Sequence, residues 1–207
     1  MNPVLHDALN RSRDLGFLGP GPVEDHIGHA LAFATAVPLP PARAVDLGAG
    51  GGLPGLVLAA SVWPTCRWTF LDAQQKRTAF LELAVDELGL SDRVEVVTER
   101  AETFGRDLDH RGAYDLVVAR SFGPPAVVAE CSAPLLRSGG LLVVSEPPSG
   151  SADRWPAAGL DELGLHSPSP LVDPGPPPTH LMVVKRGSAA VDRYPRRVGV
   201  PAKRPVF

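Results

Sequence analysis

The sequence is poor in cysteine, in aromatic residues and in long apolar runs. Of its 207 residues, two are cysteines, Cys66 and Cys131, and aromatic side chains make up 6%. The cysteines lie in separate predicted elements, so we expect buried, reduced thiols and neither a disulfide nor a metal pair. No apolar run reaches the ~18 residues that a membrane-spanning helix needs. The first residues contain no apolar signal core, and we expect a cytoplasmic protein.

Glycine and proline, by contrast, are abundant, with 21 and 23 residues. Their abundance predicts stiff connections and several irregular stretches. A chain of 207 residues with 44% hydrophobic side chains can bury the core of one domain. We therefore expect a single domain over residues 1–207, with a loose N-terminal segment at 1–22 and a basic C-terminal tail at 187–207.

Charge is distributed unevenly along the chain. The formal net charge is −3, yet residues 185–207 carry seven basic residues and one acid, which gives +6 and leaves −9 for the preceding 184 residues. An acidic body with a basic tail is common among partners of nucleic acids. A charged terminus that is merely solvated is the other interpretation.

Strand and helix patterns alternate through most of the sequence. Strands are predicted at 42–47, 68–71, 94–97, 115–119, 141–145 and 179–185, and helices at 23–37, 54–61, 76–88 and 126–136. This order predicts a mostly parallel α/β sheet with right-handed crossovers and helices on both faces. We expect the last strand to be antiparallel at the sheet edge. Residues 147–178 are rich in proline and are predicted to be irregular, apart from a short helix around 155–163.

The most informative segment is AVDLGAGGGLPG at 44–55, where a short apolar run ends on Asp46 and opens into glycines. The pattern D-x-G-x-G-x-G between a strand and a helix lets the backbone turn tightly and approach a ligand closely. Helix amides beside a carboxylate suit a small ligand with polar and cationic groups. S-adenosylmethionine carries an ammonium, a carboxylate and a sulfonium, and is the first candidate.

Two other interpretations of this segment stay open. Residues 50–55 also fit G-x-G-x-x-G, and Asp72 follows at the distance typical of nicotinamide dinucleotide sites. However, Asp46 would repel a pyrophosphate, and Pro54 removes a backbone donor from the first helical turn. The sequence therefore favours S-adenosylmethionine over a dinucleotide. A glycine-rich turn without a ligand is the third interpretation.

Polar side chains follow the predicted strands at their carboxyl ends, where parallel sheets bind ligands. Asp46, Asp72 and Arg120 occupy such positions, and Asp72 could accept hydrogen bonds from two ribose hydroxyls. His26 and His29 lie one turn apart on a predicted helix, but without a nearby carboxylate or cysteine they make a poor metal site. Nothing resembles a Ser–His–Asp triad, and we assign no catalytic residue. An acceptor such as guanine N7 needs no general base, because its lone pair is free.

The chain resembles the bacterial RsmG (GidB) family of 16S rRNA guanine-N7 methyltransferases, which have the class I, Rossmann-like fold. The resemblance runs from about residue 18 to the end. It rests on VDLGAGGGLPG at 45–55, LDAQQKRTAFLELAVDELGL at 71–90, RAE at 100–102, YDLVVARSF at 114–122, LLRSGGLLVV at 135–144 and RYPRRVGVPAKRP at 193–205.

The resemblance implies an S-adenosylmethionine-dependent methyltransferase that acts on 16S rRNA or the small ribosomal subunit. Asp72 is expected at the ribose, and Arg120 where the cofactor meets the guanine. With the glycine motif, the expected cofactor-binding residues are Gly48, Gly50, Leu53, Asp72, Ala101, Glu102 and Arg120. We expect a monomer that needs neither a metal nor a membrane.

The basic tail fits an RNA partner. Tyr194 could stack on a base, and three prolines would keep the tail extended. We expect alanine at the tail cations to lower both RNA affinity and its salt dependence. The residues expected to neutralise phosphates are Arg193, Arg196, Arg197, Lys203 and Arg204.

The sequence departs from the family pattern in two places. The family typically reads Leu-Lys-Gly after its fifth strand, whereas this chain reads Ser145-Glu146-Pro147, so an RNA-facing cation has become an anion. An Arg-His pair in the N-terminal helix appears here as Asp25-His26. These departures leave open a methyltransferase that acts on a small molecule or protein. They also leave open an RNA-binding or ribosome-assembly protein of weakened activity.

Overall fold

One seven-stranded sheet forms the centre of the molecule. The computed structural model describes residues 2–150, 152–187 and 192–207. The strand order is β3-β2-β1-β4-β5-β7-β6, in which β1 to β5 are parallel and β7 and β6 antiparallel. The strands are β1 (Arg43–Leu47), β2 (Arg67–Asp72), β3 (Val94–Thr98), β4 (Tyr114–Ala119), β5 (Leu136–Glu146), β6 (Leu165–Asp173) and β7 (Thr179–Arg186).

Helices cover both faces of the sheet. They are α1 (Pro3–Asp14), α2 (Val23–Thr35), α3 (Gly55–Ser61), α4 (Gln75–Glu87), α5 (Ala101–Phe104), α6 (Pro125–Ser132), α7 (Ala157–Glu162) and α8 (Val200–Lys203). The sheet separates two hydrophobic cores. Helices α1 to α4 pack in one core, to which β4 contributes Leu116, and α5 to α7 pack in the other, to which β4 contributes Val117. Successive strand residues point to opposite faces, so each central strand supplies both cores. The predicted α/β fold is confirmed.

The N-terminal segment is ordered, and the prediction of a loose segment over 1–22 is wrong for the described residues 2–22. The Asn2 side chain caps α1 by accepting a hydrogen bond from the Val4 amide at 3.0 Å. Leu5 and Leu9 lie one turn apart and are buried against the core. The hydroxyl of Ser12 donates to the carbonyl oxygen of Gly51 at 2.9 Å. Helix α1 therefore covers the glycine-rich turn.

Residues 147–178 contain a strand that the sequence did not indicate. Strand β6 pairs with β7 from Leu165 to Asp173, so β6 and not β7 is the edge strand. An edge strand is hydrogen-bonded on one side only, and it tolerates proline where a central strand does not. The pairing is irregular between His166 and Ser169, where Ser167 has a φ of +52°. The predicted short helix is present as α7.

The C-terminal segment, residues 192–207, is packed and not extended. Tyr194 is 4% exposed, α8 forms a short turn, and the Phe207 ring lies against Gly159 of α7. The prediction of an extended tail is wrong here, because the Tyr194 ring is buried, and Phe207 partly buried, in the core that α5 to α7 share. Residues 188–191 of the predicted tail lie outside the described residues. In the described ranges, no helix has the length and apolarity needed to cross a membrane.

Candidate functional site

The glycine-rich turn between β1 and α3 is tied to the end of β2. The Gly48 amide donates to the carbonyl oxygen of Leu71 at 2.8 Å, and the Gly50 amide to Oδ2 of Asp72 at 2.9 Å. Gly48 has a φ of +75°, and a Cβ at this position would lie 2.6 Å from Cδ2 of Phe122. Position 48 therefore requires glycine for two reasons. Its φ is positive, and a Cβ would collide with the Phe122 ring.

A cavity of about 310 Å³ opens beside this turn, at the carboxyl ends of β1, β2 and β4. We call it the central cavity. Its volume falls within the range of small-molecule sites, roughly 300–1,000 Å³. Its lining mixes charged and apolar side chains and includes Asp72, Arg77, Glu102, Phe122 and Ala202.

Asp72 is a carboxylate of the central cavity and is 6% exposed. Its Oδ1 accepts a hydrogen bond from the Gln74 amide at 2.8 Å, its Oδ2 accepts one from Gly50, and Nη1 of Arg77 lies 3.7 Å from Oδ2. A carboxylate oxygen can accept more than one hydrogen bond. Asp72 is therefore oriented by the backbone and keeps acceptor capacity for a ligand.

Glu102 connects the central cavity to the C-terminal segment. Its carboxylate is 4% exposed and accepts a hydrogen bond from the Gly199 amide at 2.9 Å. Ala202, on α8, lines the same cavity. The last residues of the chain thus form part of the cavity wall, which sequence reasoning missed.

Asp46 is sealed inside the fold. It is 0% exposed, and its Oδ2 accepts a hydrogen bond from the Gly55 amide at 2.7 Å. Its Oδ1 has no hydrogen-bond partner among the described residues. Burial raises the pKa of Asp46 to about 7, although the Gly55 amide opposes that shift. Asp46 holds the turn through Gly55 and is not part of the lining of the central cavity.

Arg120, which follows β4, is held by His26 of α2. Nη2 of Arg120 donates to Nδ1 of His26 at 3.0 Å, and Nε2 of His26 lies 3.0 Å from the Gly19 carbonyl oxygen. A guanidinium only donates and a carbonyl only accepts, so these bonds require a neutral imidazole protonated on Nε2. Nε2 of His29 lies 3.2 Å from Oγ of Ser145, and burial lowers the pKa of His29 to about 4. His26 therefore orients the Arg120 cation, whereas His29 contacts Ser145 of β5.

The structure brings four of the seven predicted cofactor residues to the central cavity: Gly48, Asp72, Ala101 and Glu102. Gly50 lies beside the cavity through its bond to Asp72, whereas Leu53, 5% exposed, and Arg120 lie outside its lining. That any of the seven contacts the cofactor stays a prediction.

Sequence reasoning also missed Ser121 and Phe122, which line the cavity directly after Arg120. Ser121 has a φ of +56°, which is rare outside glycine, and such strained backbone is frequent at functional sites. The available signal was their position immediately after a buried strand.

Comparisons with known proteins identify the family. Residues 23–146 match the family GidB, described as rRNA small subunit methyltransferase G. A "Ribosomal RNA small subunit methyltransferase G" of Roseiflexus sp. (strain RS-1) is 37% identical over 188 residues, 88% of this chain and 76% of that protein. The protein of the same name from Moorella thermoacetica is 33% identical over 186 residues, 87% of this chain and 77% of its own length. The chain belongs to the GidB family.

Solved structures agree with the fold of a GidB protein. An O-methyltransferase from Bacillus cereus in complex with SAH superposes with a TM-score of 0.65 at 16% identity, over 90% of this chain and 91% of that one. A SAM-dependent O-methyltransferase from Thermotoga maritima gives 0.56 at 14% identity, over 89% and 72%. These likenesses show the class I, Rossmann-like fold. With membership of the GidB family, they confirm the prediction of an S-adenosylmethionine-dependent methyltransferase.

The central cavity of this GidB protein fits that cofactor. Gly48 lines the cavity beside the Phe122 ring, and Asp72 offers carboxylate oxygens of fixed orientation to ribose hydroxyls. Ala101 and Glu102 face the same space from the end of β3.

Two of the five tail cations expected to bind RNA are paired within the chain. Arg196 donates to Glu130, which is 0% exposed, through Nε at 2.9 Å and Nη2 at 2.6 Å. Nη2 of Arg193 lies 2.6 Å from Oε1 of Glu162, which also accepts from the Tyr194 hydroxyl. Tyr194 is buried, so the expectation that it stacks on a base is wrong.

The other three tail cations remain available to a partner. They are exposed and form no ion pair with any residue in the described ranges. These residues are Arg197, Lys203 and Arg204.

Proposed function

We propose that this chain transfers a methyl group from S-adenosylmethionine to N7 of a guanine in the 16S rRNA of the small ribosomal subunit. The match of residues 23–146 to the GidB family carries the proposal. The relatives named Ribosomal RNA small subunit methyltransferase G, which align over most of this chain, support the substrate class.

Three titratable side chains that lie outside the lining of the central cavity are not positioned to take a proton from an acceptor bound there. His29, with its pKa near 4, is uncharged at neutral pH but faces Ser145. Asp46 is sealed away, and Arg120 is a cation. None of these three is placed as a general base. Guanine N7 suits this arrangement, because its in-plane lone pair attacks without deprotonation.

The chain then contributes mainly by positioning. S-adenosylmethionine, when bound, supplies an electrophilic methyl group on its sulfonium. Asp72 would hold the ribose hydroxyls, Gly50 would keep Asp72 in place, and Gly48 would line the ligand. Ala101 and Glu102 would flank the base of the nucleoside. Holding donor and acceptor at near-attack distance can supply most of the acceleration.

A small-molecule or protein acceptor loses one of its two supports. That alternative rested on the anion at Glu146 and on the acidic body of the chain. In the structure this carboxylate is paired with Arg154, so the position presents no uncompensated negative charge to RNA. We propose Arg197, Lys203 and Arg204 as phosphate contacts. The cytoplasmic location, the monomeric state and the independence of a metal stay predictions.

A map of 7-methylguanosine tests the proposed reaction. We expect one guanine of 16S rRNA to be methylated in cells that carry the gene and unmethylated in cells that lack it. Restoring the gene should restore the modification, and an inactive variant serves as the control. Identical maps with and without the gene would contradict the proposal.

The purified protein separates the remaining alternatives. Label from methyl-labelled S-adenosylmethionine should enter rRNA or small subunits and not the other components of a soluble extract. Calorimetry should detect S-adenosylmethionine binding. Binding of RNA without any binding of this cofactor would favour a ribosome-assembly protein instead.

A further inference from the structure

A second cavity, of about 340 Å³, adjoins the central cavity at the carboxyl ends of β4 and β5. Ser121, Phe122 and Gly123 line both cavities and form their common wall. Glu146, at the end of β5, and Arg154 line the second cavity. The two cavities therefore adjoin each other along these three residues.

Glu146 is a carboxylate of fixed orientation in this cavity. Its side chain is 6% exposed, its Oε1 accepts from Nε1 of Trp155 at 3.1 Å, and its Oε2 is bound by Nη1 of Arg154. The two donors determine where the carboxylate points. Each oxygen still has acceptor capacity, because a carboxylate offers about four lone-pair sites.

Such a carboxylate is complementary to one nucleobase in particular. Guanine presents two adjacent donors, N1–H and the N2 amino group, on its Watson–Crick edge. Adenine and cytosine each present a donor beside an acceptor, and uracil a donor between two acceptors. Enzymes that act on an unstacked base read this edge by hydrogen bonds. Guanine N7 lies on the opposite edge, so a base held by its Watson–Crick edge at one wall turns N7 away from that wall.

We propose that Glu146, oriented by Arg154 and Trp155, accepts hydrogen bonds from N1–H and the N2 amino group of the target guanine in the second cavity. This inference rests on the proposed function and names the residue that selects the base. Phe122, in the common wall, offers an aromatic surface against which the base packs. The ion pair with Arg154 keeps the cavity close to neutral, which lets a carboxylate serve in a site for an anionic polymer.

The test compares two RNAs that differ by one amino group. One is small-subunit rRNA with guanosine at the mapped target position, and the other has inosine there, which lacks the N2 amino group. Methyl transfer and equilibrium binding are measured for the wild type, for Glu146→Gln and for Glu82→Gln, an exposed control on α4. We expect the wild type and the control to prefer guanosine RNA by about 10- to 100-fold, the effect of losing one hydrogen bond to a charged group.

Glu146→Gln should lose most of this preference, because its amide offers one acceptor in place of two. A preference that is unchanged in Glu146→Gln, or equal losses on both RNAs with a lower melting temperature, would overturn the inference and leave Glu146 a structural residue. No preference in the wild type would overturn it too. If the wild type transfers no methyl group to either RNA, the proposed function fails instead. The ratio of the two binding constants then still decides the role of Glu146.

Discussion

Asp72 is the single residue on which the candidate cofactor site most depends. Asp72→Asn keeps the shape of the side chain but removes its negative charge. That charge strengthens the hydrogen bonds from the Gly50 and Gln74 amides and from the proposed ribose hydroxyls. We expect affinity for S-adenosylhomocysteine, measured by calorimetry, to fall about 10- to 100-fold, as for the loss of charge-assisted hydrogen bonds. Asp86→Asn, at an exposed position of α4, is the matched control. Equal affinities in both variants would remove Asp72 from the site.

His29 and Asp46 make opposite contributions to the pH dependence of stability. Burial lowers the pKa of His29 from 6.5 to about 4, so the unfolded chain binds the proton more tightly and stability rises with pH across that window. Burial raises the pKa of Asp46 from 3.8 to about 7, so the folded chain binds the proton more tightly and stability falls with pH across its window. The two effects offset each other between about pH 4.5 and 6.5.

Removing either side chain should reveal the pH dependence of stability that the other contributes. Relative to the wild type, Asp46→Asn should make the free energy of unfolding rise more steeply with pH, and His29→Gln should make it rise less steeply or fall. Each change of slope is at most about 1.4 kcal/mol per pH unit, and smaller for the partly exposed His29. Urea unfolding at three pH values in this range measures the slopes. Parallel slopes in all three proteins would contradict the assignment.

At the scale of elements, one ion pair joins the C-terminal segment to a buried carboxylate of α6. Glu130 of α6 is 0% exposed, and Arg196 is its charged partner. Arg196→Ala leaves a buried carboxylate unpaired, a destabilisation of about 3 kcal/mol. Gly199 and Ala202 then lose their fixed positions at the central cavity. We expect the dissociation constant of S-adenosylhomocysteine to rise about tenfold, equivalent to about 1.4 kcal/mol.

Arg197→Ala is the control for that prediction, because it removes the same charge from the neighbouring, exposed position. It should leave both the cofactor affinity and the melting temperature close to those of the wild type. Equal effects of the two variants would show that charge, and not the pair with Glu130, matters.

At the scale of the whole molecule, the body of the chain is acidic and the packed C-terminal segment is basic. This segment also forms part of the wall of the central cavity. Both cores share one sheet, and we infer a single domain. Replacing Arg197, Lys203 and Arg204 with alanine should reduce the slope of log affinity for rRNA against log salt by about 2, since each phosphate contact contributes about 0.7–0.9. Arg193→Ala, at a cation paired with Glu162, should change the slope little. An unaltered slope in the triple variant would show that these three residues do not contact RNA phosphates.

Prediction from sequence worked best where the pattern is local. The parallel strands and α4 were predicted because apolar spacing within one element decides which side is buried. Helix α1 was missed because the surface that orders it, next to Gly51, is 39 residues away along the chain from Ser12. Strand β6 was missed because its prolines are unfavourable for a strand in general but tolerated at a sheet edge.

The sequence by itself determined the family, the order of the parallel strands β1 to β5, and the placing of Gly48, Asp72 and Glu102 at strand ends. These follow from short-range spacing and motif. Only the tertiary structure decided which charges are available. Arg196 is held by a carboxylate 66 residues away and Arg197 is exposed, although the two are neighbours of the same type. The tertiary structure likewise pairs Glu146 with Arg154, so its negative charge is compensated. Burial and ion pairing depend on which distant residues the fold brings into contact, and a local sequence pattern does not contain this information.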